Sequence, residues 1–239
     1  MKRNPLAQAL PLFASVWMAA SLSAAGPAPA PAKDAWPEVQ TRMDHAAAAF
    51  QSMTAKVKYL THTDVLDENS EESGTLTMRK AAAREAEALI DFTGPNPRVV
   101  VFAKRQAQIF YPKINTVNVY DLGKHGEQLD QFLMTGFGTS GSELAHNFDV
   151  KALGLETVQK QRAIKLQLVP KTAEAKQYVK KMELWIPETG KPYPLQEKLY
   201  EPSGDYRLIT YSDLTINPQL APDALKLKTP AGVKYEQMK

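Results

Sequence analysis

From Thr54 onward, apolar and polar residues alternate in short runs separated by tight turns, and this pattern restricts the fold more than any other feature of the chain. Val57 and Tyr59 alternate with Lys56 and Lys58. Beyond the acidic turn DENSEES, Leu76 and Met78 alternate with Thr75, Thr77 and Arg79; Ala86, Ala88, Ile90 and Phe92 then alternate with Glu85, Glu87 and Asp91. A period of two is the pattern of a strand with one apolar and one polar face. Turns such as GPNP are too short for a crossover, so successive strands run antiparallel. The apolar stretch VVVFAKRQAQIFYPKINTVNVYDL breaks at two polar turns and reads as three more strands. Ile164, Leu166 and Leu168, then Met182, Leu184 and Ile186, continue the alternation, and Leu195 to Tyr200 pairs with Tyr206 to Leu214 around EPSGD. The pattern predicts about eleven strands, and strongly twisted sheets rarely stay open beyond roughly ten.

Two segments carry a helical period instead. After Pro37, the residues Val39, Met43, Ala46, Ala47, Phe50 and Met53 recur at three- and four-residue steps, and Leu129, Phe132, Leu133 and Phe137 share a second helical face. A curled sheet with an apolar inner face needs a cover, and these two amphipathic helices are available for it. The expected class is α+β, mainly β: an unclosed antiparallel barrel capped by a helical lid over a hydrophobic cavity. Val57, Tyr59, Leu76, Met78, Ile90, Phe92, Val101, Ile109, Leu166 and Leu184 are expected to line the inner face. Val39, Met43, Phe50, Phe132, Leu133 and Phe137 are expected to contact it from the lid. Any one of these residues suits an ordinary core equally well, so the expectation attaches to the set.

The N-terminus has the organisation of a secretory signal. Lys2 and Arg3 precede a mostly apolar run from Leu6 to Leu22, and Ser23-Ala24-Ala25 supplies small residues for cleavage after Ala25. Residues 26–35, GPAPAPAKDA, form a Pro/Ala-rich spacer, leaving 36–239 as a single domain. No later stretch reaches transmembrane length. Two of the charges behind the formal net charge of +3 are Lys2 and Arg3, so no nucleic-acid footprint is expected. The absence of cysteine excludes disulfides and a lipid anchor at a mature N-terminus.

The search for chemistry returns no constellation. His45, His62, His125 and His146 show no ligand spacing, and GFGTSG lacks the strand–turn–helix context that gives such glycines meaning in dinucleotide binding. The acidic turn lacks the spacing of a calcium loop. The expectation is a protein that is not an enzyme and uses neither metal nor cofactor.

Several stretches resemble the LolA-like periplasmic carriers, the outer-membrane lipoprotein carrier proteins of Gram-negative bacteria. GTLTMRK looks like the family's Gly-x-Leu-x-apolar-basic-basic strand, VVVFAKRQAQIFYPKINTV its strand–turn–strand, LDQFLMTG its inserted helix, and LKLKTPAGVKY its closing segment. The resemblance runs in order along the whole mature chain. It implies a soluble, unanchored, monomeric periplasmic protein that shelters the acyl chains of a lipoprotein. The family takes this cargo from an inner-membrane exporter complex and delivers it to an outer-membrane receptor. Carriage of another lipid, or a lipid-binding regulatory module of envelope stress, stands as the alternative. In the family the second basic residue of the first motif is an arginine linked to holding the lid closed. Here Lys80 occupies that place, with Arg79 before it and Ala81 where proline would stand. A lysine lacks arginine's planar fork, so a weaker latch is expected, with Lys80 pointing inward beside Leu76 and Met78.

Overall fold

The computed structural model describes residues 35–82, 85–123 and 133–238. The signal, most of the spacer and Phe132 lie outside the described residues. Helix α1, Ala35–Ala49, leads into β1, Ser52–Thr63, followed by β2, Glu68–Ala82; β3, Glu85–Thr93; β4, Arg98–Ala103; β5, Gln106–Tyr111; and β6, Thr116–Asp121. A short helix α2, Gly141–Asn147, precedes β7, Phe148–Val158, and β8, Gln161–Pro170. Helix α3, Ala173–Lys176, then β9, Lys181–Pro187; β10, Gln196–Tyr200; β11, Tyr206–Ile216; and β12, Lys234–Met238, complete the order. All 12 strands of the described residues belong to one sheet in the order β12-β6-β5-β4-β3-β2-β1-β11-β10-β9-β8-β7. The two end strands are not paired with each other, so the sheet is unclosed. Every pairing is antiparallel except β12 with β6, which brings the last strand back alongside the first half of the chain.

Turn chemistry sets the registers. Lys104 and Arg105 join β4 to β5 with φ of 53° and 59°, and Gln159 and Lys160 join β7 to β8 with φ of 50° and 65°. Two left-handed residues in a two-residue loop match the twist of the flanking strands and fix which residues face each other. The β1–β11 ladder shifts near Asp213, whose φ of 51° marks a bulge beside its ion pair with Lys56.

The helix α1 lies on the inner face. Its stripe of Val39 and Met43 is buried against Leu144 of α2 and against Ile164, Leu166, Leu168, Met182, Leu184 and Ile186 of β8 and β9. Arg42 fastens the helix by donating to the carbonyls of Pro187, Glu188 and Gly190 at 2.9, 3.1 and 3.0 Å. Asp44 accepts from the backbone N–H and the hydroxyl of Ser142, holding α2 beside α1. Gly141 permits that approach, since a Cβ there would stand 2.6 Å from the Gln40 carbonyl oxygen. The corner between α1 and β1 is pinned by Asn217, which accepts from the N–H groups of Gln51 and Ser52 and donates to the Ala49 carbonyl.

The outer face changes character across the sheet. On β8–β10 it is polar: Glu183 lies within ion-pair distance of Lys181 and Lys165, and Lys198 stands over Tyr206 and Tyr200. On β4–β6 it is apolar, because Phe110, Val117 and Val119 are buried with Val99 beneath Leu227 and Val233 of the C-terminal segment. Leu184 is fully buried under α1. Leu184→Ala should lower unfolding stability by about 2–5 kcal/mol in a denaturant titration, through lost burial and the cavity left behind.

Candidate ligand-binding face

Strand registers assign each residue to a face. On β1–β6 the inner face forms cross-strand rows. The first row is Met53, Met78, Ala88, Phe102, Ala107 and Tyr120; the next is Ala55, Leu76, Ile90, Val100, Ile109 and Asn118. A third runs through Val57, Gly74, Phe92 and Arg98, and a fourth through Tyr59 and Glu72. From Tyr59 the fourth row continues the other way through Ile209, Glu197, Leu184 and Leu166. Nine of the ten expected face residues thus share one surface. Gly74 is required in its row, because a Cβ would stand 2.3 Å from the Asp91 carbonyl oxygen.

Val101 is the correction. It pairs with Leu89 and Gln108 and so faces outward, while its neighbours Val100 and Phe102 face in. The physical reason is that both faces of β4 are covered, one by the inner-face packing and the other by the C-terminal segment, so VVVF carries no alternation to read. The two-residue turn Lys104–Arg105 holds the missing signal, since it places Val100 opposite Ile109. Val100, Phe102, Ala107, Tyr111 and Tyr120 belong on the inner face and the reading from alternation omitted them.

The two basic residues of GTLTMRK also separate. Lys80 pairs with Ala86 in the row beyond Met78, inward as expected, and its backbone N–H donates to the Gln51 carbonyl beside the end of α1. Arg79 points the opposite way and forms an ion pair with Glu87. Arg79 and Glu87 both line a pocket of about 480 Å³ on the outer side, together with Val101, Leu225, Leu227 and Tyr235. Arg79 therefore does not touch the lid side, because adjacent strand residues face opposite ways.

The cover has two parts. Val39 and Met43 seal the β7–β10 half, whereas Phe50, Met134 and Phe137 are buried over β1–β3 with Leu133 packed against them. Phe137 stacks on Tyr193 at 6.0 Å, meets Tyr211 edge-on at 5.2 Å and lies 6.4 Å from Phe50. Among the described residues, the C-terminal end of the predicted second helix is helical at Leu133 and Met134 and passes into a turn over residues 135–138, and α2 is a further short helix beyond it. Gly136, with φ of 80°, belongs to that turn and presses on Pro194 and Glu197; a Cβ there would lie 2.8 Å from Pro194 Cγ and 3.0 Å from Glu197 Oε1. The β3–β6 half is covered less: Ile90, Phe102, Ile109, Tyr111 and Tyr120 are all half-buried.

Glu197 was not foreseen. It is 5% exposed on the inner face beneath Gly136, and Oε1 has no hydrogen-bond partner among the described residues. Burial pushes its pKa up to about 8, and a hydrogen bond with the Tyr211 side chain opposes that rise. Burial likewise raises the Tyr211 pKa well above the ordinary phenol value, with Glu197 adding to the rise. Tyr59 is a further titratable group within electrostatic reach. Near neutral pH the carboxyl is therefore mostly protonated under the turn. Because the folded protein holds this proton more tightly than the unfolded chain, the contribution of Glu197 to stability is fully present below about pH 4.5 and is lost as pH rises towards about 8. Glu197→Gln should remove that decline and make the protein more stable at pH 8, by on the order of 3–5 kcal/mol, in denaturant titrations across this range.

Among the described residues no helix is long and apolar enough to cross a membrane, and no three His, Asp or Glu side chains are grouped to hold a metal. No protein-family model and no curated protein matches the sequence. Solved structures do match. An uncharacterized conserved protein from Thermus thermophilus aligns with a TM-score of 0.51 at 14% identity, over 84% of this chain and 98% of that one. The MucA/MucB complex of Pseudomonas aeruginosa aligns at 0.45 and 17% identity, over 80% of this chain and 61% of that one. A LolA superfamily protein from Nitrosomonas europaea aligns at 0.37 and 13% identity, over 80% and 97%. The class is set by the architecture: one large unclosed, almost wholly antiparallel sheet with a few helices among the described residues, as the alternation pattern predicted.

Proposed function

We propose that this protein is a non-enzymatic periplasmic carrier that shelters the acyl chains of a lipoprotein, or of another lipid, on the inner face of its sheet. The observation that carries the reading is the unequal covering of that face. Over β8 and β9 it is sealed by α1 and α2, while on the β3–β6 half Ile90, Phe102, Ile109, Tyr111 and Tyr120 are only half-buried beside the buried Ala88, Phe92, Val100 and Ala107. An apolar surface of this kind on a protein with no membrane-spanning helix among its described residues suits an apolar guest. Each buried methylene contributes about 0.8 kcal/mol, so acyl chains do not leave a membrane unaided yet bind well to such a face. In this reading Val57, Tyr59, Leu76, Met78, Ile90, Phe92 and Ile109, with Val100 and Phe102 in place of Val101, grip the chains, while Leu166 and Leu184 belong to the packed half. Phe50, Leu133 and Phe137 close over them, and Lys80 tunes release at the lid edge. Secretion through the N-terminal signal, receipt from an inner-membrane exporter and delivery to an outer-membrane receptor complete the proposal.

Protein purified gently from its own cell envelope should carry acylated mass in native mass spectrometry, and emptied protein should take up a fluorescent fatty acyl probe. Ile90→Asp should abolish uptake while leaving the far-UV circular dichroism unchanged. A wild-type protein that carries no lipid and takes up no probe would refute the reading. Lys80→Leu should slow transfer of the probe to acceptor vesicles about three- to tenfold, because a lysine that is costly to cover is replaced by an apolar contact.

A further inference from the structure

The inner face is not uniformly apolar along the strands. Its first two rows are apolar except for Asn118 at the β6 end. The next rows bring in Arg98 from β4, Glu72 from β2 and, through the pairing of Thr61 with Arg207, a second guanidinium from β11. Glu72 takes both terminal nitrogens of Arg98, one of them at 2.7 Å, and Arg98 lies 4.1 Å above the Phe92 ring. Arg207 pairs with Glu201 at 2.8 Å. Tyr59 meets Phe92 edge-on at 6.1 Å, and its hydroxyl is within electrostatic reach of Arg207, Glu197, Glu201 and Glu72. Arg98 and Glu72 are 24% and 29% exposed, so the pair is sheltered yet reachable.

A sheet that needed these charges only for solubility would carry them outward. Val99 faces outward instead, and Arg98 inward. From Met53 to Thr61 the face runs about 27 Å, apolar at the end under Phe50 and ionic at the other. Resting on the carrier reading above, we infer that the guest is an amphiphile with a zwitterionic head bearing a phosphate and an ammonium group, its tails laid towards Met53 and Met78. Arg98 donates to the phosphate, and Glu72 accepts from the ammonium. A guanidinium beside a carboxylate matches such a head and leaves a purely anionic one facing repulsion from the carboxylate.

The test is displacement of the bound fluorescent acyl probe by phosphatidylethanolamine, phosphatidylglycerol and diacylglycerol of identical chains, with water-soluble phosphoethanolamine as the free-head control. Wild-type protein should prefer phosphatidylethanolamine to diacylglycerol by about tenfold or more, as charge-assisted hydrogen bonds would give, and phosphoethanolamine alone should not compete. The double variant Glu72→Gln/Arg98→Gln, whose amides can still pair, should lose most of that preference while its affinity for diacylglycerol stays unchanged. If the double variant fails to fold, Glu72→Gln alone, which keeps Arg98, should move the preference from phosphatidylethanolamine towards phosphatidylglycerol. Equal displacement by all three lipids overturns the inference, as does a preference for phosphatidylglycerol, a parallel loss for every lipid in the variants, or full competition by phosphoethanolamine. If wild-type protein takes up no probe, it is the carrier reading that falls.

Discussion

The structure depends on a mismatch between the area of its apolar inner face and the helices available to cover it. A sheet of 12 strands presents more apolar surface than α1 and α2 can bury. The chain places its firm contacts on one half: Val39 and Met43 sit in the β8–β9 surface, Arg42 ties the helix to three carbonyls, and Asp44 ties the second helix to the first. Over the other half the described cover includes Met134 and Phe137, and Ile90, Phe102, Ile109, Tyr111 and Tyr120 keep partial exposure. The β8–β9 part is thus a core, while the β3–β6 part keeps apolar side chains partly exposed, although the same kinds of residue line both.

How far this could be read from the sequence depended on whether a strand had one dry face or two. On β1, β2, β3 and β9 the polar partners of the alternation face solvent or one another, so Val57, Leu76, Ile90 and Leu184 could be placed on one surface. On β4–β6 the C-terminal segment buries Phe110, Val117 and Val119 from outside while Val100 and Ile109 face in. A strand covered on both sides loses its alternation, as β4 does from Val99 to Ala103. That is where the long apolar stretch of this chain goes, and it is why Val101 was assigned to the wrong face. Helix α2 escaped notice because its seven residues are too few to show a period, and it is held by Gly141 and Ser142 against α1.

Glu197 escaped for a different reason. In LQEKLY it occupies the position of an apolar face residue, and a lone glutamate in a strand suggests the solvent side. Its neutral form is what makes the position tolerable, since an ionised carboxylate with an unpartnered oxygen would not be stable in that place. Gly136 leaves room for Oε1, and Tyr211 meets the carboxyl from the neighbouring strand. The glycine pattern GFGTSG, empty as a nucleotide motif, therefore has a packing role: it lets a tight turn settle on a protonated acid and an aromatic cluster.

This arrangement bears on how firmly the turn is held. A turn seated by apolar and aromatic contacts alone would gain from every additional methylene and would open reluctantly. Seating it on a carboxyl with an unmade hydrogen bond lowers the gain from closure, because opening lets that oxygen reach water. Lys80 acts in the same direction at the other edge, where an inward ammonium disfavours complete coverage. A cover weakened at two polar points while its aromatic contacts remain intact would exclude water from a guest and still open without an external energy source, as the carrier proposed above requires.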